Sequence, residues 1–76
     1  MPRSSGSPDQ IEVIVNGQAM RIPAGTRLSG LLRQLGIPEA GTAVELAGDI
    51  VPVPQFVQIR LQDGQRLEIV RMVGGG

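Results

Sequence analysis

One segment of this 76-residue chain has the apolar spacing of a helix, whereas the other apolar segments have the spacing of strands. Four leucines fall at positions i, i+3, i+4 and i+7 and therefore share one helix face: Leu28, Leu31, Leu32 and Leu35. Thr26 stands before them as a candidate N-cap, and Gly36 and Pro38 follow as stop signals. A single amphipathic helix must bury its apolar face, so we expect the remainder of the chain to supply a sheet.

Strand-like segments lie on both sides of the helical segment. They are residues 11–15, 19–22, 42–47, 50–51 and 67–73. Asn16-Gly17 is a strong hairpin signal and joins the first two segments. Pro52 and Pro54 predict an irregular stretch or a brief helical turn, after which Phe56 is expected to fill the bottom of the core.

The order hairpin, helix, strand, short strand, strand predicts an α+β fold. A mixed sheet of four to five strands with one helix packed across it satisfies this order, and this is the β-grasp arrangement. A small open β-barrel is the alternative. We expect a disordered extension at residues 1–9, a β-grasp domain at 10–73 and a flexible Gly-Gly-Gly tail at 74–76.

The composition argues against most functional classes that depend on side-chain chemistry. The chain has no cysteine and no histidine, which removes the usual metal ligands, and it has no tyrosine or lysine. We therefore expect no enzyme activity, no metal and no bound cofactor. Balanced charge and a single aromatic residue argue against nucleic acid, and the apolar runs are too short for a membrane span or a signal peptide, so a cytoplasmic location is expected.

The three glycines that follow the last strand are the strongest chemical feature of the sequence. Without a Cβ atom, Gly74, Gly75 and Gly76 form a thin tail that is able to enter a narrow channel in a partner. The terminal carboxylate is a poor electrophile until AMP is transferred to it from ATP, after which sulfur or an amine is able to attack it. A frayed end is the plain alternative for such a tail.

The chain resembles the ThiS family of sulfur carriers, which are ubiquitin-like relatives of MoaD. The resemblance covers residues 11–76. It depends on the order and spacing of the hairpin at 11–17, the leucine-rich helix, the segments 43–46 and 50–52, the turn at 63–64, and residues 68–76.

The resemblance implies that the working group is the carboxylate of Gly76. A ThiF-like enzyme would adenylate it with ATP and magnesium, and sulfur from a donor such as a cysteine desulfurase would convert it to a thiocarboxylate. A ThiG-like thiazole synthase would then receive the sulfur for thiamine biosynthesis. The alternatives are a MoaD-like subunit of molybdopterin synthase, a carrier for another metabolite, a ubiquitin-like protein modifier and a plain interaction module.

Strand alternation predicts a partner surface beside the tail. If Val44, Leu46, Leu67 and Ile69 face the helix, the outer sheet face carries Ala43, Glu45, Glu68 and Val70. We expect Val70, Met72 and Val73 to form an apolar landing site for the activating enzyme, with Arg71 as an additional contact. The alternatives are that Met72 closes the edge of the core and that Arg71 is simply solvated.

Overall fold

The computed structural model describes residues 9–72, which form five strands, one α-helix and one 3₁₀ turn. The strands are β1 (Gln10–Val15), β2 (Gln18–Pro23), β3 (Thr42–Leu46), β4 (Asp49–Val51) and β5 (Arg66–Arg71). The helix α1 spans Leu28–Leu35, and the 3₁₀ turn spans Val53–Gln55. The predicted elements are therefore confirmed in type and order, with bounds that differ by at most two residues.

The strands form one mixed sheet in the order β2-β1-β5-β3-β4. The pairing of β1 with β5 is parallel, and the other three pairings are antiparallel. Strand β5 thus lies in the centre of the sheet and joins the β1-β2 hairpin to the β3-β4 hairpin. With α1 packed on one face, this is the ubiquitin-like β-grasp fold, as the sequence predicted.

The core lies between α1 and the inner face of the sheet. Its fully buried side chains are Val13, Ile22, Leu28, Leu31, Leu32, Val44, Phe56 and Leu67. Phe56 fills the core as predicted, immediately after the 3₁₀ turn. Leu35, the fourth leucine of the predicted stripe, is 37% exposed and lines a groove of about 410 Å³ beside the tip of the first hairpin.

The prediction that Thr26 caps the helix is wrong. The N-cap residue is Arg27, which makes no side-chain capping bond, and the Thr26 hydroxyl donates to the Pro23 carbonyl at 2.6 Å. The first amides of α1 are satisfied by a distant loop, because Leu28 N–H donates to Ile59 O and Ser29 N–H donates to Phe56 O. At the other end, Gly36 ends the helix as predicted, in the left-handed conformation with φ 74°.

The described residues begin at the end of the predicted extension. Asp9, which we assigned to that extension, accepts a hydrogen bond from Ala24 N–H at 2.9 Å. The predicted disorder of residues 1–8 lies outside the described residues. No helix within residues 9–72 has the length and apolar character that a membrane span requires.

Candidate functional site

The predicted site residues lie at the end of β5 and in the segment that follows it in sequence. Beyond β5, Met72 N–H donates to the Gly41 carbonyl at 2.7 Å. The four predicted site residues Val73, Gly74, Gly75 and Gly76 lie outside the described residues. The structure therefore describes the end of β5 up to Met72, and the predicted site residues within this part are Val70, Arg71 and Met72.

The side chain of Arg71 is bound to the loop that precedes β3. Its Nη1 atom donates to the carbonyls of Pro38 and Ala40, both at 3.3 Å, and to the Thr42 hydroxyl oxygen at 3.1 Å. Thr42 is 3% exposed, and its own hydroxyl donates to Pro38 O at 2.6 Å. The structure shows that Arg71 holds this loop against the end of β5, and its predicted contact with a partner stays a prediction.

Val70 and Met72 lie on the face of the sheet opposite α1, as strand alternation predicted. Their side chains are 55% and 58% exposed, so Met72 does not close the core edge. Val70 is paired in register with Ala43, and Ile50, on the same outer face in β4, is 69% exposed. We call Ala43, Ile50, Val70 and Met72, together with Glu45 and Glu68, the outer-face patch.

Two carboxylates lie directly opposite each other within the outer-face patch. Glu45 of β3 pairs in register with Glu68 of β5, and Ile50 lies on the far side of Glu45. Like charges in directly opposed positions destabilise a sheet. Neither carboxylate forms an ion pair with another side chain among residues 9–72. Alternation predicted that both face outward, but the register that opposes them was not predictable from either segment alone.

Asn16 makes a contact that the sequence did not predict. We interpreted it as a hairpin residue, and its φ of 51° is consistent with that role. Its side-chain amide also forms two hydrogen bonds with the main chain of Ile69 in β5. The Asn-Gly signal predicts the turn, whereas this contact depends on the position of β5, which lies more than fifty residues further along the chain.

Metal-binding residues do not cluster in the part of the chain that the structure describes. Across residues 9–72 there is no group of three or more His, Cys, Asp or Glu side chains that would hold an ion. The features that the structure brings together near the tail are an apolar and acidic sheet face and a strand end held by hydrogen bonds.

Comparison with known proteins gives a family match over most of the chain. The model of the ThiS family matches residues 13–76. The sulfur carrier protein ThiS of Escherichia coli is 35% identical over 66 residues, which cover 87% of this chain and 100% of that protein. The crystal structure of the thiamine biosynthesis protein (ThiS) from Geobacter metallireducens matches with a TM-score of 0.74 and 26% identity, covering 87% of this chain and 100% of the other.

Two longer proteins also contain a similar segment. Thiazole synthases of Paramagnetospirillum magneticum and Magnetococcus marinus are 35% and 33% identical to this chain over 66 residues. The match covers 87% of this chain in both cases, but it spans only 20% of the length of each longer protein.

Proposed function

The chain belongs to the ThiS family, and on that premise we propose that it is a sulfur carrier in thiamine biosynthesis that works through the carboxylate of Gly76. The family match, which extends to Gly76, is the observation that carries the proposal. The fold supports it, because β5 is the central strand of the sheet and is followed in sequence by three glycines, which have no Cβ atom.

The proposed chemistry takes place in two steps on a partner enzyme. A ThiF-like enzyme, using ATP and magnesium, joins the Gly76 carboxylate to AMP and releases pyrophosphate. In the second step the outer sulfur of a persulfide, formed from cysteine by a donor such as a cysteine desulfurase, attacks the acyl carbon and displaces AMP. A thiol then cleaves the S–S bond of the resulting acyl disulfide, which leaves the thiocarboxylate and a new disulfide on the thiol side. The carrier is thus a protein-sized cosubstrate, and the activating enzyme supplies the catalytic groups.

We propose a thiazole synthase as the acceptor of the sulfur. Two proteins named thiazole synthase contain a segment similar to this chain, together with about four times as much additional sequence. A carrier-like segment within the same polypeptide has a high effective concentration near the remainder of that protein. A separate carrier chain has to bind its partner through its own surface instead.

The outer-face patch is our proposed landing surface for the activating enzyme. It presents exposed Val70 and Met72 beside the tail, which suits a partner that holds the body while it takes up the C-terminus. The opposed carboxylates of Glu45 and Glu68 favour a partner that places an arginine or lysine between them. Arg71 stays a predicted contact, although its guanidinium already binds the loop before β3.

Intact-protein mass spectrometry tests the proposed function. The purified chain is incubated with ATP, magnesium, a sulfur donor and a ThiF-like enzyme, and one oxygen is expected to be replaced by sulfur with a gain of about 16 Da. A chain lacking Gly75 and Gly76 is the matched control, because it retains all of residues 9–72, and it is expected to gain nothing.

Other results would contradict the proposal. Lack of any mass gain by the intact chain, with an enzyme that converts the Escherichia coli relative, would contradict the carrier function. An equal gain by the truncated chain would show that the modified atom is not in the tail. Adducts to lysines of other proteins would instead indicate a protein modifier.

A further inference from the structure

The parallel pairing of β1 with β5 ends where the first hairpin turns. Ile14 N–H donates to Gln65 O and Asn16 N–H donates to Leu67 O, both at 2.9 Å. Continuation of this ladder would next pair a peptide group of β1 with Ile69. The chain turns away instead, because Asn16 and Gly17 have φ values of 51° and 85°. The backbone of β1 therefore does not form the next hydrogen bonds of this pairing.

The side-chain amide of Asn16 forms the hydrogen bonds to Ile69 that the backbone of β1 does not make. Ile69 N–H donates to Oδ1 at 2.7 Å, and Nδ2 donates to Ile69 O at 3.2 Å. A side-chain amide has the same donor and acceptor as a peptide group, so both main-chain groups of Ile69 on this edge are satisfied. The orientation of the amide follows from the chemistry, because the oxygen has to face the N–H of Ile69.

The end of β5 makes different hydrogen bonds on its two sides. On the β3 side, Met72 N–H bonds Gly41, and the Arg71 side chain binds the loop before β3. On the β1 side, within residues 9–72, the Asn16 amide makes the last hydrogen bonds to β5. Loss of this amide would leave the final residues of β5 held from one edge, and the strand end would then be free to swing about that edge.

We propose that Asn16 is a positioning residue, which fixes the orientation of the end of β5 up to Met72. The proposal rests on the function proposed above, in which the tail has to enter a partner while the outer-face patch is docked. A strand end that is hydrogen-bonded on both sides has one orientation, up to Met72, before the partner binds. An end held on one edge has to be ordered during binding, which weakens the productive complex.

The turn by itself does not require the amide of Asn16. Glycine adopts a φ of 51° without steric cost, so Asn16→Gly keeps the turn and removes both bonds to Ile69. Asn16→Asp retains the acceptor for Ile69 N–H but places a second carboxylate oxygen against Ile69 O. Gln18→Ala is the matched control, because Gln18 is exposed in the same hairpin and its side chain makes no hydrogen bond within the described residues.

The test combines NMR of the full chain with kinetics of a ThiF-like enzyme. Asn16→Gly is expected to expose the Ile69 amide to rapid hydrogen exchange and to change the residual dipolar couplings of Val70, Arg71 and Met72. It is expected to raise KM for the carrier roughly five- to tenfold, the size of one lost hydrogen-bonded pair, with kcat within about twofold. Asn16→Asp is expected to lie between wild type and Asn16→Gly, with the Ile69 amide still protected.

The outcomes separate positioning from stability and from the proposed function itself. All variants are assayed at a temperature where circular dichroism shows them to be folded, so a stabilising role alone leaves KM unchanged. Unchanged couplings in Asn16→Gly, or an equal rise in KM for Gln18→Ala, would overturn the proposal. If the wild-type chain is not a substrate, the proposed function fails, and the dipolar couplings still decide whether Asn16 positions the end of β5.

Discussion

The two faces of the sheet are both defined by strand alternation, but they differ in burial and in charge. On the inner face Leu67 and Ile69 of β5 are 1% and 7% exposed and pack beneath the helix. On the outer face of the same strand Val70 is 55% exposed, and Glu68 opposes another glutamate. The inner face is arranged for stability, whereas the outer face retains exposed apolar side chains and a repulsive pair. This difference is the reason why we propose the outer face as the surface that binds a partner.

The largest expected effect separates the faces by stability. Leu67→Ala should lower the free energy of unfolding by about 2–5 kcal/mol, because it opens a cavity in the core. Val70→Ala, three residues along β5, should change it by less than about 1 kcal/mol, because its side chain is already largely in solvent. Urea unfolding followed by far-ultraviolet circular dichroism measures both values. A cost for Val70→Ala equal to that of Leu67→Ala would refute the division between the faces.

The second prediction separates the faces by partner binding. Val70→Asp should raise KM for the activating enzyme by about tenfold, because it places a charge in the apolar part of the landing surface. Val57→Asp is the control, since Val57 is 57% exposed but lies beside the N-terminal end of α1, where its carbonyl accepts from Arg27. Both variants should remain folded. If KM is the same for wild type and Val70→Asp, the outer-face patch is not the landing surface.

The smallest expected effect sharpens the comparison, because stability and binding should change in opposite senses. Glu68→Gln removes the repulsion with Glu45 and should stabilise the fold by about 0.2–1 kcal/mol, while it raises KM for the activating enzyme. Glu12→Gln is the control on the same sheet. Glu12 is paired in register with Arg21, so its neutralisation should slightly destabilise the fold. Destabilisation by Glu68→Gln would indicate that the glutamate pair is not repulsive.

Much of the fold was predictable from the sequence, because it depends on local patterns. The leucine spacing predicts α1, and alternation places Val44, Leu67 and Ile69 inside and Val70 outside. The choice of Thr26 as helix cap was wrong because the amides of Leu28 and Ser29 are satisfied by carbonyls about thirty residues further along the chain. A local pattern contains no information about such a distant partner.

The same limit applies to the candidate site. The sequence predicts that Val70 and Met72 are exposed near the tail, and both predictions are confirmed. It does not predict the opposition of Glu45 and Glu68 or the bonds between Asn16 and Ile69, because each depends on the register of β5 against another strand. Register is determined by how the whole core packs rather than by the sequence of one segment.

The central position of β5 has a consequence for the order of folding. The β1-β2 and β3-β4 hairpins form between neighbouring segments of the chain, but β5, which follows them in sequence, is the strand that joins them. A nascent chain that has not yet reached Arg66 therefore contains two hairpins without a common sheet. Closure of the sheet requires contacts between distant residues, which slow folding. Because β5 joins the two hairpins, the event that orders β5 is also the event that completes the sheet.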